Sequence, residues 1–248
     1  MDASLLVLAL APGIAIGIYI YLKDKHEREP LGLLLTSFFY GVLSTAVTLA
    51  ISWPLEFLVA INEQDAVQQF GNAFLKVAFI EEFSKFIFIR FILYPNKNFN
   101  EPFDGIVYAC MVGMGFATLE NIVYVYNYGA ATGFVRMFTA VPAHATFAIL
   151  MGYFLGKAKF THRKELYYSF VALLVATAFH GSYDYFWFVA SVKGIWAGVW
   201  IGAIISLIVA IVLSRRAIRL HQQASPFINQ APVTERIIEN PPPEEKAP

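Results

Sequence analysis

The chain has 248 residues, 58% of them hydrophobic and only 15% charged, with a formal net charge of zero. So much apolar side chain excludes an ordinary soluble domain, and the lack of net basic charge excludes a nucleic-acid partner. The lone cysteine, Cys110, excludes a disulfide framework and a Cys-rich metal site.

Seven stretches are long and apolar enough to span about 30 Å of hydrocarbon at 1.5 Å per residue. They cover roughly 3–22, 31–53, 71–94, 105–126, 138–157, 166–190 and 194–213. The first lacks a basic n-region and a small-residue cleavage site, so it reads as a retained helix and not as a signal peptide. The runs are continuous, unlike the short alternating segments of a barrel, so the fold class is all-α, a polytopic membrane helix bundle. Trp53, Trp187, Trp196 and Trp200 fall near span ends, as an interfacial aromatic belt requires.

Loop charge sets the expected orientation. Lys23, Lys25 and Arg28, then Arg90 and Lys97, then Lys157, Lys159, Arg163 and Lys164, and finally Arg215, Arg216 and Arg219 all fall on one side. The alternate loops hold only Arg136 and Lys193, and 61–70 holds no basic residue. The N-terminus is therefore expected outside and the C-terminus in the cytoplasm. A membrane domain over 1–222, with its core at about 70–190, is expected to precede a Pro/Glu-rich disordered cytoplasmic tail over 223–248.

Inside the spans, a few polar residues stand out because ionisable groups are costly there and mark sites by default. The third span carries Glu81, Glu82 and Lys85; at 100° per residue, Lys85 lies about 40° from Glu81 and about 60° from Glu82. Either carboxylate can pair with the lysine, leaving the other for chemistry. Phe116 and Glu120 share a face of the fourth span, His144 follows Pro142 in the fifth, and His180 and Asp184 share a face of the sixth. Counted from the outer boundary, Glu81, Glu120, His144, His180 and Asp184 all lie roughly 9–15 Å deep, a single layer. Taken singly, each could be a hydrogen-bonded packing residue; one common depth favours a site. His26, His162 and His221 fall in loops or near the tail and read as solvated, and Cys110 as inert.

Carboxylates and imidazoles in a water-accessible cavity suit activation of water and proton donation to a leaving amine, hence hydrolysis. The metal alternative is Zn²⁺ on Glu81, Glu120, His144 and His180, but neither His-Glu-x-x-His nor a Gly-x-Ser-x-Gly elbow is present. No cofactor is favoured.

Glu81-Glu82-x-x-Lys85, Phe116-x-x-x-Glu120, His144 and His180-x-x-x-Asp184 occur in that order on four successive spans. This pattern resembles the PrsW family of intramembrane proteases, within the wider group of CAAX-prenyl endopeptidases and bacteriocin-processing enzymes. The resemblance covers about residues 70–190 and implies a bacterial or archaeal cell-membrane enzyme that cuts a membrane-anchored protein, typically an anti-sigma factor. It also implies Glu81 as the base, His180 and Asp184 as oxyanion or orienting groups, and Glu82 with Lys85 as support. Lys85 sits one residue closer to the glutamates than the arginine of the prenyl-endopeptidase branch, and Glu120 replaces that branch's histidine, whose role His144 would take. A proton-coupled transporter and a non-catalytic scaffold are the competing readings; no inverted repeat supports the first.

Overall fold

The computed structural model of the protein describes residues 3–161 and 163–228. Among them the regular structure is entirely helical, in seven rods that answer to the seven predicted spans. The first two are α1 (Ala3–Lys23) and α2 (Leu31–Leu58). The third is composite: α3 (Ala66–Gly71), a π-helical stretch Asn72–Phe79, α4 (Ile80–Phe88) and a second π-helical turn Ile89–Leu93. Then come α5 (Pro102–Tyr128), the pair α6 (Ala130–Phe138) and α7 (Ala140–Phe160) bent at Thr139, α8 (Glu165–Val189) and α9 (Ile201–Gln223). Five apolar stretches are long enough to cross a membrane: α1, α2, α5, α6 with α7, and Ala197–Gln223.

Element ends differ from expectation where polar residues continue a helix. The 61–70 loop is partly helical, because the Asp65 carboxylate accepts hydrogen bonds from the Val67 and Gln68 amides and caps α3. Likewise α9 runs past 213 through Arg215, Arg216 and Arg219, since hydropathy ends there but helix-forming residues do not. The tail expected over 223–248 lies outside the described residues from 229 onward, as does His162. His221 corrects an expectation: it is buried and its ring stacks on Tyr153, the centroids 4.3 Å apart. It lies inside the extended part of α9, facing α7.

The core is α5, almost wholly enclosed by α1, α2, α7 and α9. Small residues let the backbones touch, as in membrane bundles generally. A methyl group on Gly41 would run into the Val112 carbonyl oxygen, one on Gly115 into that of Phe38, and one on Gly152 into that of Gly105. Val7, Ile14, Leu35, Phe39, Phe170, Leu174, Ile205 and Ile208 are exposed on the outside of the bundle, an apolar girdle suited to lipid. Gly115→Val should therefore force α2 from α5 and cost about 1–3 kcal/mol, read as a lower thermal midpoint in detergent.

The basic loops do share one end of the bundle. There Lys159 Nζ donates to the carbonyl oxygens of Tyr94 and Asn96, at 2.5 and 3.2 Å, and Arg90 Nη2 meets Glu165 Oε1 at 2.5 Å. Gln222 at the end of α9 donates to the Lys23 carbonyl at that same end. At the other end, the Lys193 amide donates to Gln64 Oε1 at 2.9 Å.

Candidate active site

The polar residues singled out on four rods converge. Lys85 is their hub and is only 2% exposed: Nζ lies 2.8 Å from Glu82 Oε1, 3.5 Å from Glu81 Oε2 and 3.3 Å from His144 Nδ1. Its ammonium also sits 3.9 Å from the centre of the Phe116 ring, a cation–π contact that gives that aromatic a place in the layer. The i,i+3 and i,i+4 spacings let one lysine reach both glutamates.

Glu82 is fully buried, and its Oε1 accepts from Lys85 and also faces His180 Nδ1 at 2.8 Å. The other nitrogen of that ring, Nε2, is 3.1 Å from Asp184 Oδ2 and 3.9 Å from Glu81 Oε2. The ring stacks against Phe147, with centroids 5.0 Å apart, and lies edge-on to His144 at the same separation. His144, in α7 just after Pro142 in the helix's first turn, places Nε2 2.9 Å from Glu120 Oε2.

Two participants escaped the sequence reading. Arg136 of α6, read only as a loop charge, places Nη2 2.8 Å from Glu120 Oε2 and Nε 3.0 Å from Asn121 Oδ1, its guanidinium lying 3.9 Å over Tyr124. Its signal was there, since it is the only Lys or Arg between Lys97 and Lys157 and precedes His144 by about two helical turns. Lys76, also passed over, pairs with Glu56 of α2 at 3.4 Å.

Glu81 differs from the rest. Its Oε2 is buried without a hydrogen-bond partner, as is that of Glu82, but Glu81 alone of the two lines two cavities. One, of about 480 Å³, is walled by Glu120, Arg136, His144, His180, Asp184 and the aromatic rings of Tyr124, Tyr183 and Trp187. The second, of about 520 Å³, lies between α2 and the π-helical stretch, with Thr48, Ser52, Glu56, Asn72 and Lys76 in its wall. Donor atoms of Glu81, His144 and His180 all fall within 4.8 Å of one another, the one such group of metal-capable side chains among the described residues.

The chain is similar to known proteins over most of its length. The family described as "PrsW family intramembrane metalloprotease" matches residues 29–213. Protease PrsW of Geobacillus kaustophilus is 40% identical over 184 residues, covering 73% of this chain and 79% of the relative. Protease PrsW of Bacillus subtilis is 39% identical over 179 residues, covering 71% and 79%. That of Clostridioides difficile is 34% identical over 205 residues, covering 79% and 83%. No solved structure matches. The protein is a peptidase embedded in the bacterial membrane, and the carrier and scaffold readings lose their motivation. With that match spanning most of the chain and relatives covered over more than two thirds of their length, the chain belongs to the PrsW family of intramembrane proteases.

Proposed function

We propose that the protein hydrolyses a peptide bond of a membrane-anchored substrate with Glu81 as general base, within a catalytic core of about residues 70–190. The observation that carries this is the Glu81 oxygen left without a hydrogen bond at the wall of a cavity shared with two imidazoles. Glu81 takes a proton from a water held in that cavity while the water oxygen attacks the carbonyl carbon. The His180 ring, anchored at Nδ1 by Glu82, turns its Nε2–H from Asp184 to the oxygen on which charge develops. Glu81 then returns its proton to the leaving amine nitrogen, so that atoms and charge balance. His144 positions Lys85 and Glu120 at the cavity wall, and Arg136 holds Glu120. The rings of Tyr124, Tyr183 and Trp187 offer apolar surface to substrate side chains. With the N-terminus outside, as the loop charges imply, cleavage falls in the outer half of the bilayer. The family resemblance nominates an anti-sigma factor as substrate, with the cut as the first step of its removal.

The family's description raises a metal, and Zn²⁺ on Glu81, Glu120, His144 and His180 is the second reading, favoured by donor atoms of Glu81, His144 and His180, though not Glu120, within 4.8 Å of one another. A bound zinc would supply a Lewis acid and an ionised water. As arranged, the residues do not fit it. Both nitrogens of His144 are engaged, by Lys85 and Glu120, and both of His180 face carboxylates. The Lys85 ammonium also stands beside two of the three donors, where it repels a cation. Cleavage by purified protein is therefore expected to survive a strong zinc chelator, with substoichiometric zinc by elemental analysis. Loss of cleavage on chelation, with recovery on added Zn²⁺, would transfer the mechanism to the metal.

A further inference from the structure

The second cavity lined by Glu81 differs in character from the first. It has a volume of about 520 Å³ and reaches from the 59–63 connection, at the end of the bundle away from the basic loops, down between α2 and the π-helical stretch to Glu81. Thr48, Ser52 and Glu56 supply one wall. They are four residues apart, so successive side chains turn by only about 40° around α2 and form one polar stripe. The facing wall carries Asn72, Lys76 and Glu81. The i→i+5 bonding of the π-helical stretch brings positions five apart nearer to one face than an α-helix does, which lets Lys76 and Glu81 share that wall.

Polar side chains on a membrane-crossing helix need partners or a function. Packing alone does not supply them here. The Thr36, Ser37 and Ser44 hydroxyls of α2 donate back to carbonyls of their own helix, whereas the Thr48 hydroxyl is buried with no hydrogen-bond partner. Glu56 pairs with Lys76 at 3.4 Å, yet its side chain stays 72% exposed, which puts the mouth of the cavity in water and not in lipid. At the far end the Glu81 oxygen is also without a partner. A space many times the roughly 30 Å³ that one water fills, walled by such groups, is one that water occupies.

We propose that this cavity is the route by which water reaches the active site, separate from the cavity that receives the peptide. The inference rests on Glu81 as base and adds the path that supplies its reactant. Hydrolysis consumes one water for each C–N bond broken: its O–H joins the acyl carbon and its other hydrogen ends on the leaving amine. A peptide laid among Tyr124, Tyr183 and Trp187 displaces water from the first cavity, so the site needs a second source. Val77 and Glu81, one turn apart, belong to the walls of both cavities, and the base can draw water from one while substrate fills the other. Thr48 and Ser52 are positioning residues that keep the path wet.

The test places single cysteines along α2 of the full chain in lipid nanodiscs, open to reagent from both faces, and treats them with the cationic, water-soluble thiol reagent (2-trimethylammonium)ethyl methanethiosulfonate. Wild type is the blank, since its one thiol, Cys110, is buried. Thr48→Cys and Ser52→Cys are expected to react about tenfold or more faster than Ala50→Cys, because only a thiol in water ionises readily to the reactive thiolate. Ala50 lies between them in depth but on the opposite, exposed side of the helix. The adduct in Ser52→Cys should slow that variant's own cleavage of a membrane-anchored substrate by about tenfold or more. A reductant that strips the adduct should restore the rate, which no folding defect would do. Reaction at 48 and 52 no faster than at 50 would mean a dry cavity and overturn the proposal. So would adducts that leave cleavage unslowed, or a substrate that shields Ser52→Cys from the reagent, which would mean that peptide fills this cavity. The labelling does not depend on catalysis: if Glu81→Gln still cleaved while the labelling and the block held, the base assignment would fall and the water route would stand.

Discussion

Replacing Glu81 with glutamine is expected to slow substrate cleavage by about 10²–10⁴-fold while the fold survives. The size follows from removing the base from a proton transfer that the reaction cannot avoid. The survival follows from geometry: Glu81 Oε2 makes no hydrogen bond, and the lysine nearest to it at 3.5 Å keeps its closer partner Glu82 at 2.8 Å. The amide is nearly isosteric and introduces no cavity. The measurement is a cleavage time course in reconstituted membranes, beside a thermal melt of the same preparation. A variant that melts like the wild type and still cleaves within a factor of about ten would sink the assignment of Glu81, since a general base contributes more than that. Glu120→Gln should instead lower both signals, because Glu120 is held by His144 and Arg136 and bridges α5, α6 and α7.

The second large effect concerns stability. Lys85→Met should destabilise the protein by about 3–5 kcal/mol, the usual cost of stripping one partner from a buried ion pair. Methionine keeps much of the volume and the contact with Phe116, so the loss reports charge and not packing. Without the ammonium, Glu82 is left fully buried beside His180, and Glu81 loses the lysine 3.5 Å away. Adding Glu82→Gln to Lys85→Met should recover part of the loss, since the uncompensated charge goes with it. Urea or thermal unfolding of the single and double variants gives the comparison. A single-variant loss below about 1 kcal/mol would mean that the pair behaves like an exposed one.

Much of this architecture can be read from residue order because the bilayer simplifies the problem. Every backbone polar group must be satisfied within the segment that crosses it, so an apolar run of the right length becomes a helix with few alternatives. The shared depth of Glu81, Glu120, His144, His180 and Asp184 followed from rise per residue and alternating direction, and those side chains do meet. Angular counting along one helix could not choose between Glu81 and Glu82 as partner of Lys85; the lysine reaches both, closer to Glu82 because His180 draws that carboxylate inward. Other features belong to tertiary structure and leave little trace. Arg136 looks like a loop cation until α6 folds back over Glu120. The π-helical turns on either side of α4 change hydrogen-bond register without changing composition. His221 looks solvated until α9 is seen to continue past its apolar run.

The glycine contacts divide the bundle mechanically. Backbone meets backbone where α5 crosses α2 and α7, at Gly41, Gly115, Gly105 and Gly152, and such seams leave no slack for sliding. The composite third rod and α8 instead meet through side chains, with Gly181 resting on the ring of Phe74. Glu120 and His144 thus ride on a stiff frame, while Glu81, Glu82, His180 and Asp184 ride on the compliant partner. Across the layer the two halves meet through side chains as well, among them Lys85 reaching His144 and Phe116 and the His180 ring packed on His144 and Phe147. A peptide strand admitted between them is resisted by bonds that side chains can remake, and not by the seams that hold the frame together.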